Sequence, residues 1–240
     1  METISSHRPK IVVIGSCNTD MVVKANRLPV PGETILGGTF YMNPGGKGAN
    51  QAIAAARLGS EVTFISKIGY DLFGLQALEI YRSEKINTEF IFTDQKSPSG
   101  VALISVDSFG ENSIIVAPGA SRSLSIEDIN KAEEKIKESD IILMQLEVPI
   151  ETVEYAATIA YKYGKKVILN PAPASTLSNS FLKNVHTILP NRIEAEMLSG
   201  IKVMDIESAH RAAKAIGEKG IKNVVITLGK DDIFYSFFSN

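Results

Sequence analysis

Short, continuous apolar runs alternate along this chain with segments of helical period, and that alternation narrows the available folds more than any other feature. "IVVIG" (Ile11 to Gly15) is a β-branched run ending in glycine, the pattern of a strand buried on both faces of a largely parallel sheet. It is followed by "EVTFISKIG", "DIILMQLE", "KVILNPAP", "TILPN" and "NVVITLG". Between them the periodicity predicts helices over Ala49 to Leu58, Glu151 to Tyr163, Ile193 to Ser199 and Glu207 to Glu218. At 240 residues the chain is long enough to bury a full core. The expected fold is α/β, a doubly wound, largely parallel sheet with ligand-facing loops at the carboxyl ends of its strands.

Two stretches interrupt this rhythm. Thr19 to Met42 and Glu89 to Pro118 carry short β-prone pieces with Pro-Gly and Gly-Gly turns and no helix between them. They read as antiparallel strands that meet over one edge of the main domain as a small β lid, with a decoration or a dimer surface as the alternative. The expected division is residues 10–18, 43–88 and 119–240 for the core and residues 19–42 and 89–118 for the lid. The run "SIEDINKAEEKIKES" reads as an amphipathic surface helix capped by Ser125, with Ile126, Ile129, Ala132 and Ile136 on its apolar face.

Charge and cysteine content exclude several function classes. Lys and Arg number 25 against 27 Asp and Glu, a net charge of -2, which supplies no basic excess to follow a nucleic acid backbone. The opening apolar run is too short for a signal or membrane segment, and the only cysteine, Cys17, can form no internal disulfide. The expected location is the cytoplasm, with no membrane and no nucleic acid partner. His7, His186 and His210 are scattered without metal-binding spacing, and Cys17 reads as core packing.

The motif that carries chemistry is "NPGGKGANQAIAAARLG". It is not a Walker A loop, because Tyr41 stands in place of the first glycine and Gly48 follows Lys47 where a hydroxyl is needed. The dinucleotide pattern fails too, since Gln51 occupies the third glycine's place. What remains is a permissive backbone, a helix start, and Lys47 and Asn50 about one turn apart. "GSCNTD" puts Asn18 and Asp20 just past the first strand, and "MQLEVP" puts Glu147 at the end of another. Each has a plain structural reading as a turn or cap residue. Together, these amides, carboxylates and an ammonium can donate to and accept from several hydroxyls at once, which suits a polyhydroxylated neutral ligand.

In this order, "GSCNTD", "PGET", "GGKGANQAIAAARLG", "GVALISV", "LMQLE", "NPAPA", "PNRIEAEMLSG" and "VVITLG" resemble the ribokinase branch of the carbohydrate kinase family, which also contains adenosine kinase and bacterial fructokinases. The likeness runs from about Lys10 to Ile233. It implies transfer of the γ-phosphate of ATP to the 5-hydroxyl of D-ribose, with Mg²⁺ and a monovalent cation such as K⁺, by a homodimer joined through its β lids. By matching motifs, Asn18, Asp20, Gly46, Lys47, Asn50 and Glu147 would bind the sugar, with the glycines of the motif permitting a hinge. Asn191 would organise the ATP phosphates, Glu194 would serve Mg²⁺ largely through water, and Thr227, Gly229 and Lys230 would line the nucleotide loop. Read from spacing alone, Asn191 is an N-cap and Glu194 closes its capping box.

Asp232 stands where the resemblance leads one to expect a glycine in the ATP loop. The family's glycine–alanine–glycine–aspartate segment, with the catalytic base and anion hole, is expected beyond Asn240, as are the monovalent-cation ligands, so no residue in the chain is assigned as the base. The closing "IFYSFF", aromatic and β-prone with nothing after it to cover its edge, reads as a cut or a premature stop. Two functions follow as expectations: a sugar kinase represented by most of its chain, or a non-catalytic sugar-binding or regulatory relative.

Overall fold

The computed structural model describes residues 8–230 and 232–238, so His7, Ser239 and Asn240 lie outside the described residues, as does the base expected past them. The chain opens with β1 (Lys10–Ile14), β2 (Asn18–Lys24) and β3 (Thr39–Gly45), then α1 (Lys47–Arg57), β4 (Glu61–Gly69) and α2 (Leu72–Ser83). Next come β5 (Ile91–Asp94), β6 (Gly100–Val106), β7 (Asn112–Ala117) and a 3₁₀ turn over Gly119–Ser123. The helices α3 (Ile126–Lys131) and α4 (Glu133–Glu138) lead to β8 (Ile141–Met144), α5 (Ile150–Lys162) and β9 (Lys166–Leu169). The chain continues through α6 (Asn179–Leu182), β10 (Thr187–Ile188), α7 (Arg192–Ser199) and α8 (Ile206–Gly217) to β11 (Asn223–Thr227) and β12 (Ile233–Phe237).

The large sheet has the order β12-β11-β10-β9-β8-β1-β4-β5 and is parallel except for β12, which pairs antiparallel with β11. Its strands bury both faces. Because successive side chains point to opposite sides, Val12 and Ile14 of β1 join one core with α3, α4, α5, α7 and α8, while Val13 joins another with Ala49, Ala52 and Ala55 of α1 and Tyr81 of α2. Helices on both faces make the sheet doubly wound. The closing aromatic stretch forms the outermost strand, where Phe234 packs on the first core and Ile233, Tyr235 and Phe237 stay exposed on the other face.

The second sheet has the order β3-β2-β6-β7, drawn from residues 18–45 and 100–117. Two expectations need correction. "EFIFT" is not part of the small sheet: α2, capped by Asp71, returns the chain to the edge of the large sheet, and β5 pairs there in parallel with β4 (Ser66↔Ile91). The small sheet is also mixed rather than antiparallel, because β2 and β6 both run outward from the large sheet and pair in parallel (Asn18↔Gly100). The charged run likewise forms two helices, broken at Ala132 (φ -101°), yet Ile129, Ala132 and Ile136 are fully buried along one stripe and Ser125 caps α3 in a capping box with Asp128.

Candidate active site

The site assembles where the carboxyl ends of β1 and β8 lie side by side. From β1 the large sheet extends to β4 and β5 on one side, then resumes at β8 on the other, so a crevice opens between these two strand ends. Ser16 and Asn18 leave β1 into it, and Glu147 follows β8.

The first helix begins here without a side-chain cap of its own. Gly46 holds the N-cap position with φ at 90°, in the region that favours glycine, and the first N–H groups of α1 are satisfied by residues from elsewhere in the chain. Lys47 N–H donates to Glu147 Oε2 at 2.9 Å, Gly48 N–H to Ser16 Oγ at 3.4 Å, and Ala49 N–H to the Ser16 carbonyl at 3.0 Å. A Cβ on Gly48 would fall 2.7 Å from the Ser16 backbone, so the close approach of loop and helix requires glycine there.

Charge is concentrated at the same point. The Lys47 ammonium lies 3.0 Å from Glu147 Oε1, and the Ser16 hydroxyl donates to Glu147 Oε2 at 2.5 Å. Burial pushes the Glu147 carboxyl up, but the donors from Ser16 and Lys47 outweigh it and hold the group below its ordinary value. Asp20 on β2 moves the other way, raised first by burial and next by the negative charge of Glu147, with Lys47 in partial opposition. Asn18 Oδ1 and Gln145 Oε1 are buried acceptors without a hydrogen-bond partner among the described residues. Asp20, Lys47 and Glu147 therefore stand close enough to feel one another's charge, Gly46 lies against the Asn18 backbone, and Asn18 lines a cavity of about 420 Å³ with Thr19, Asn43 and Phe73, while Asn50 sits exposed on the first turn of α1.

Lys47 also lines a cavity of about 430 Å³ with Asn170, Pro173, Leu189, Asn191, Glu194 and Thr227. Asn191, past the end of β10, and Thr227, the last residue of β11, come together as a parallel bridge. The capping box expected from spacing is present: Asn191 Oδ1 accepts from Glu194 N–H at 2.9 Å, and Glu194 Oε2 accepts from Asn191 N–H at 2.8 Å. Gly229 and Lys230 are exposed just beyond β11 and do not line this cavity. Asn191→Ala is expected to cost about 1 kcal/mol of stability without any nucleotide, read by urea unfolding, because it removes a helix cap. A variant as stable as the parent would show that the box contributes nothing to folding.

A model of the pfkB family carbohydrate kinases matches residues 8–237. The chain belongs to that family.

This pfkB kinase is 46% identical over 229 residues to the ribokinase of Haemophilus influenzae, across 95% of the present chain and 75% of that protein. It is 39% identical over 221 residues to the deoxyribokinase of Salmonella typhi, across 92% of the chain and 72% of that protein. Among solved structures, Arabidopsis thaliana ribokinase complexed with ribose and ATP superposes with a TM-score of 0.84 at 30% identity, covering 96% of the chain and 75% of its own. The doubly wound sheet with a separate small sheet is the architecture of those ribokinases. Among the described residues no helix is long and apolar enough to cross a membrane.

Some residues at or near the crevice and cavity escaped the sequence reading. Ser16 is the small polar residue next to Gly15 in "GSCNTD", and its meeting with Glu147 spans 131 positions. Asn170 ends the run "KVILN", the same strand-end signal that singled out Glu147, and could have been found by it. Arg192 holds the loop after β11, donating from Nε and Nη2 to the Leu228 carbonyl at 3.1 and 2.9 Å. Cys17 is buried beside Tyr81, and burial pushes its thiol up to about 11, so it stays a protonated packing group.

Proposed function

We propose that this carbohydrate kinase binds D-ribose in the crevice and ATP in the adjoining cavity, and transfers the γ-phosphoryl group to the 5-hydroxyl of the sugar. The observation that carries the reading is the Lys47–Glu147 pair, whose carboxylate stands among the sugar-binding candidates while its ammonium lines the cavity of Asn191, Glu194 and Thr227. The two halves of a phosphoryl transfer then share a boundary. In the transfer the 5-hydroxyl oxygen bonds to the γ-phosphorus, the bridging bond to the β-phosphate breaks, and the hydroxyl proton leaves to a base that no described residue is assigned to supply.

Asn18 is read as a sugar contact from its place at the start of β2, where its Oδ1 is a buried acceptor with no donor among the described residues. Asp20, Glu147, Gly46 and Asn50 are read as further sugar contacts, and Asn191, Thr227, Gly229 and Lys230 as nucleotide contacts. Glu194, the carboxylate that lines the cavity beside Asn191, is read as reaching Mg²⁺ on the phosphates through water. Bound there, Mg²⁺ would neutralise phosphate charge. The monovalent cation belongs to the same proposal, with no described residue assigned to it. The small sheet acts as the lid that excludes water from the transfer. Its face opposite Asp20 leaves Val23, Phe40, Met42, Leu103 and Ile115 exposed, which supports homodimerisation there.

The test is calorimetric titration with D-ribose in the presence of ATP and Mg²⁺, alongside an assay of ribose-dependent ADP release. Saturable heat with D-ribose is the expected result. No heat with ribose would overturn the reading. Tighter binding of 2-deoxy-D-ribose would move the substrate toward that of the Salmonella relative.

A further inference from the structure

Ser16 is nearly fully buried, at 1% exposure, so its side chain acts on whatever enters the crevice only through the groups it touches. It touches two. Its single hydroxyl proton is committed to Glu147 Oε2, at 2.5 Å, and a lone pair accepts from Gly48 N–H at 3.4 Å. The bare carboxylate of Glu147 does not accept from Gly48, so the hydroxyl is the link between the strand end that carries Glu147 and the second residue of α1. The Ser16 backbone is fixed as well, because its carbonyl accepts from Ala49 N–H at 3.0 Å and Gly48 lies close against it. The hydroxyl therefore has one orientation that satisfies both partners.

We infer that Ser16 is a positioning residue for sugar binding: its hydroxyl fixes the rotation of the Glu147 carboxylate, leaving Oε1 to the Lys47 ammonium, and keeps both groups aimed into the crevice. The inference rests on reading Glu147 as a sugar contact. Its physical basis is the strength of a hydrogen bond to an ionised acceptor in a partly dry site, which exceeds that of a neutral pair. Without the hydroxyl, the carboxylate keeps Lys47 N–H and the ammonium but is free to turn about its last torsion. The donors that hold it ionised are also fewer.

The experiment compares the parent chain with Ser16→Ala, Glu147→Gln and the double variant by calorimetric titration with D-ribose between about pH 4 and 8. Ser16→Ala is expected to weaken ribose binding roughly tenfold at neutral pH. Its affinity should also fail at a higher pH on the acid side than in the parent. The charged groups facing Glu147 are Lys47 from α1 and Asp20 from β2, with Glu194 of α7 across the cavity from Lys47. All of these persist in both proteins, so a displaced acid limb reports on Glu147. In the Glu147→Gln background, Ser16→Ala should change affinity little.

An equal loss in both backgrounds, or an unmoved acid limb, would show that Ser16 acts only through folding and would overturn the inference. If the parent chain bound no ribose, the functional reading would fall by itself. The Ser16 contact would then be judged by the carbon-13 signal of the Glu147 carboxyl, which should titrate higher in Ser16→Ala. A titration unchanged by the substitution would overturn the contact too.

Discussion

Glu147→Ala should weaken D-ribose binding about a hundredfold or more, a loss on the order of 3 kcal/mol. The size follows from how many donors depend on this one carboxylate. It accepts from the Ser16 hydroxyl and Lys47 N–H, and pairs with the Lys47 ammonium. The alanine leaves the ammonium without its counter-charge and the first N–H of α1 without an acceptor. The lysine side chain is 39% exposed, so water recovers part of the charge term, which keeps the expectation below that for a fully buried pair. Glu147→Gln retains the shape and one acceptor and should fall between parent and alanine. Calorimetry reads the affinity, and urea unfolding should show a further loss of about 1 kcal/mol from the missing helix cap. Undiminished ribose affinity with reduced stability would mean that Glu147 serves α1 and not the sugar.

Asp128→Ala is expected to cost about 3–5 kcal/mol of folding stability, a large share of what a domain usually has. Asp128 is 4% exposed at the third position of α3, where Oδ2 accepts from Lys67 Nζ at 2.8 Å and from Ser125 N–H and Oγ at 3.0 and 2.9 Å. Without it Lys67, itself mostly buried, keeps only the Ser123 carbonyl. Burial pushes the Asp128 carboxyl up, but the Lys67 ammonium and the Ser125 donors more than offset that, and the group lies below its ordinary value. A lowered carboxyl contributes stability that is present above the unfolded value, about 3.9, and lost as pH falls through the folded one. Urea midpoints should thus converge for parent and variant as the solution is acidified. A gap independent of pH would assign the loss to packing. The paired change Lys67→Met with Asp128→Leu should recover much of the stability, since it removes both buried charges together.

The α/β core was legible because buried parallel strands announce themselves as continuous apolar runs: β1, β8 and β11 each appear as one, and the helices α1, α5, α7 and α8 start and stop within a residue or two of expectation. Pairing was less legible. "EFIFT" has the same composition as a small-sheet strand, and only α2, which the alternation of runs had not singled out, explains why it returns to the large sheet. The parallel match of β2 with β6 joins segments some eighty residues apart, and nothing local in either strand encodes it. The site divides in the same way. Strand-end position pointed to Asn18, Asp20 and Glu147, whereas for Asn191 and Glu194 spacing pointed only to a capping box and the family resemblance alone suggested a site. Ser16 and the double placement of Lys47 depend on which strand ends become neighbours, a property of the whole sheet.

The parallel run of β2 and β6 has a mechanical meaning. Both strands leave the large sheet at its ligand-facing rim, and β3 returns to that rim at Gly45, so every tie between the two sheets gathers along one line. A plate tethered along a single edge tilts as one body. Asn18 and Asp20 ride on β2, and Gly46, which starts α1, follows directly from β3. Any such tilt would carry these three past the crevice in step, so that contacts spread over separate stretches of chain engage or release as a single event.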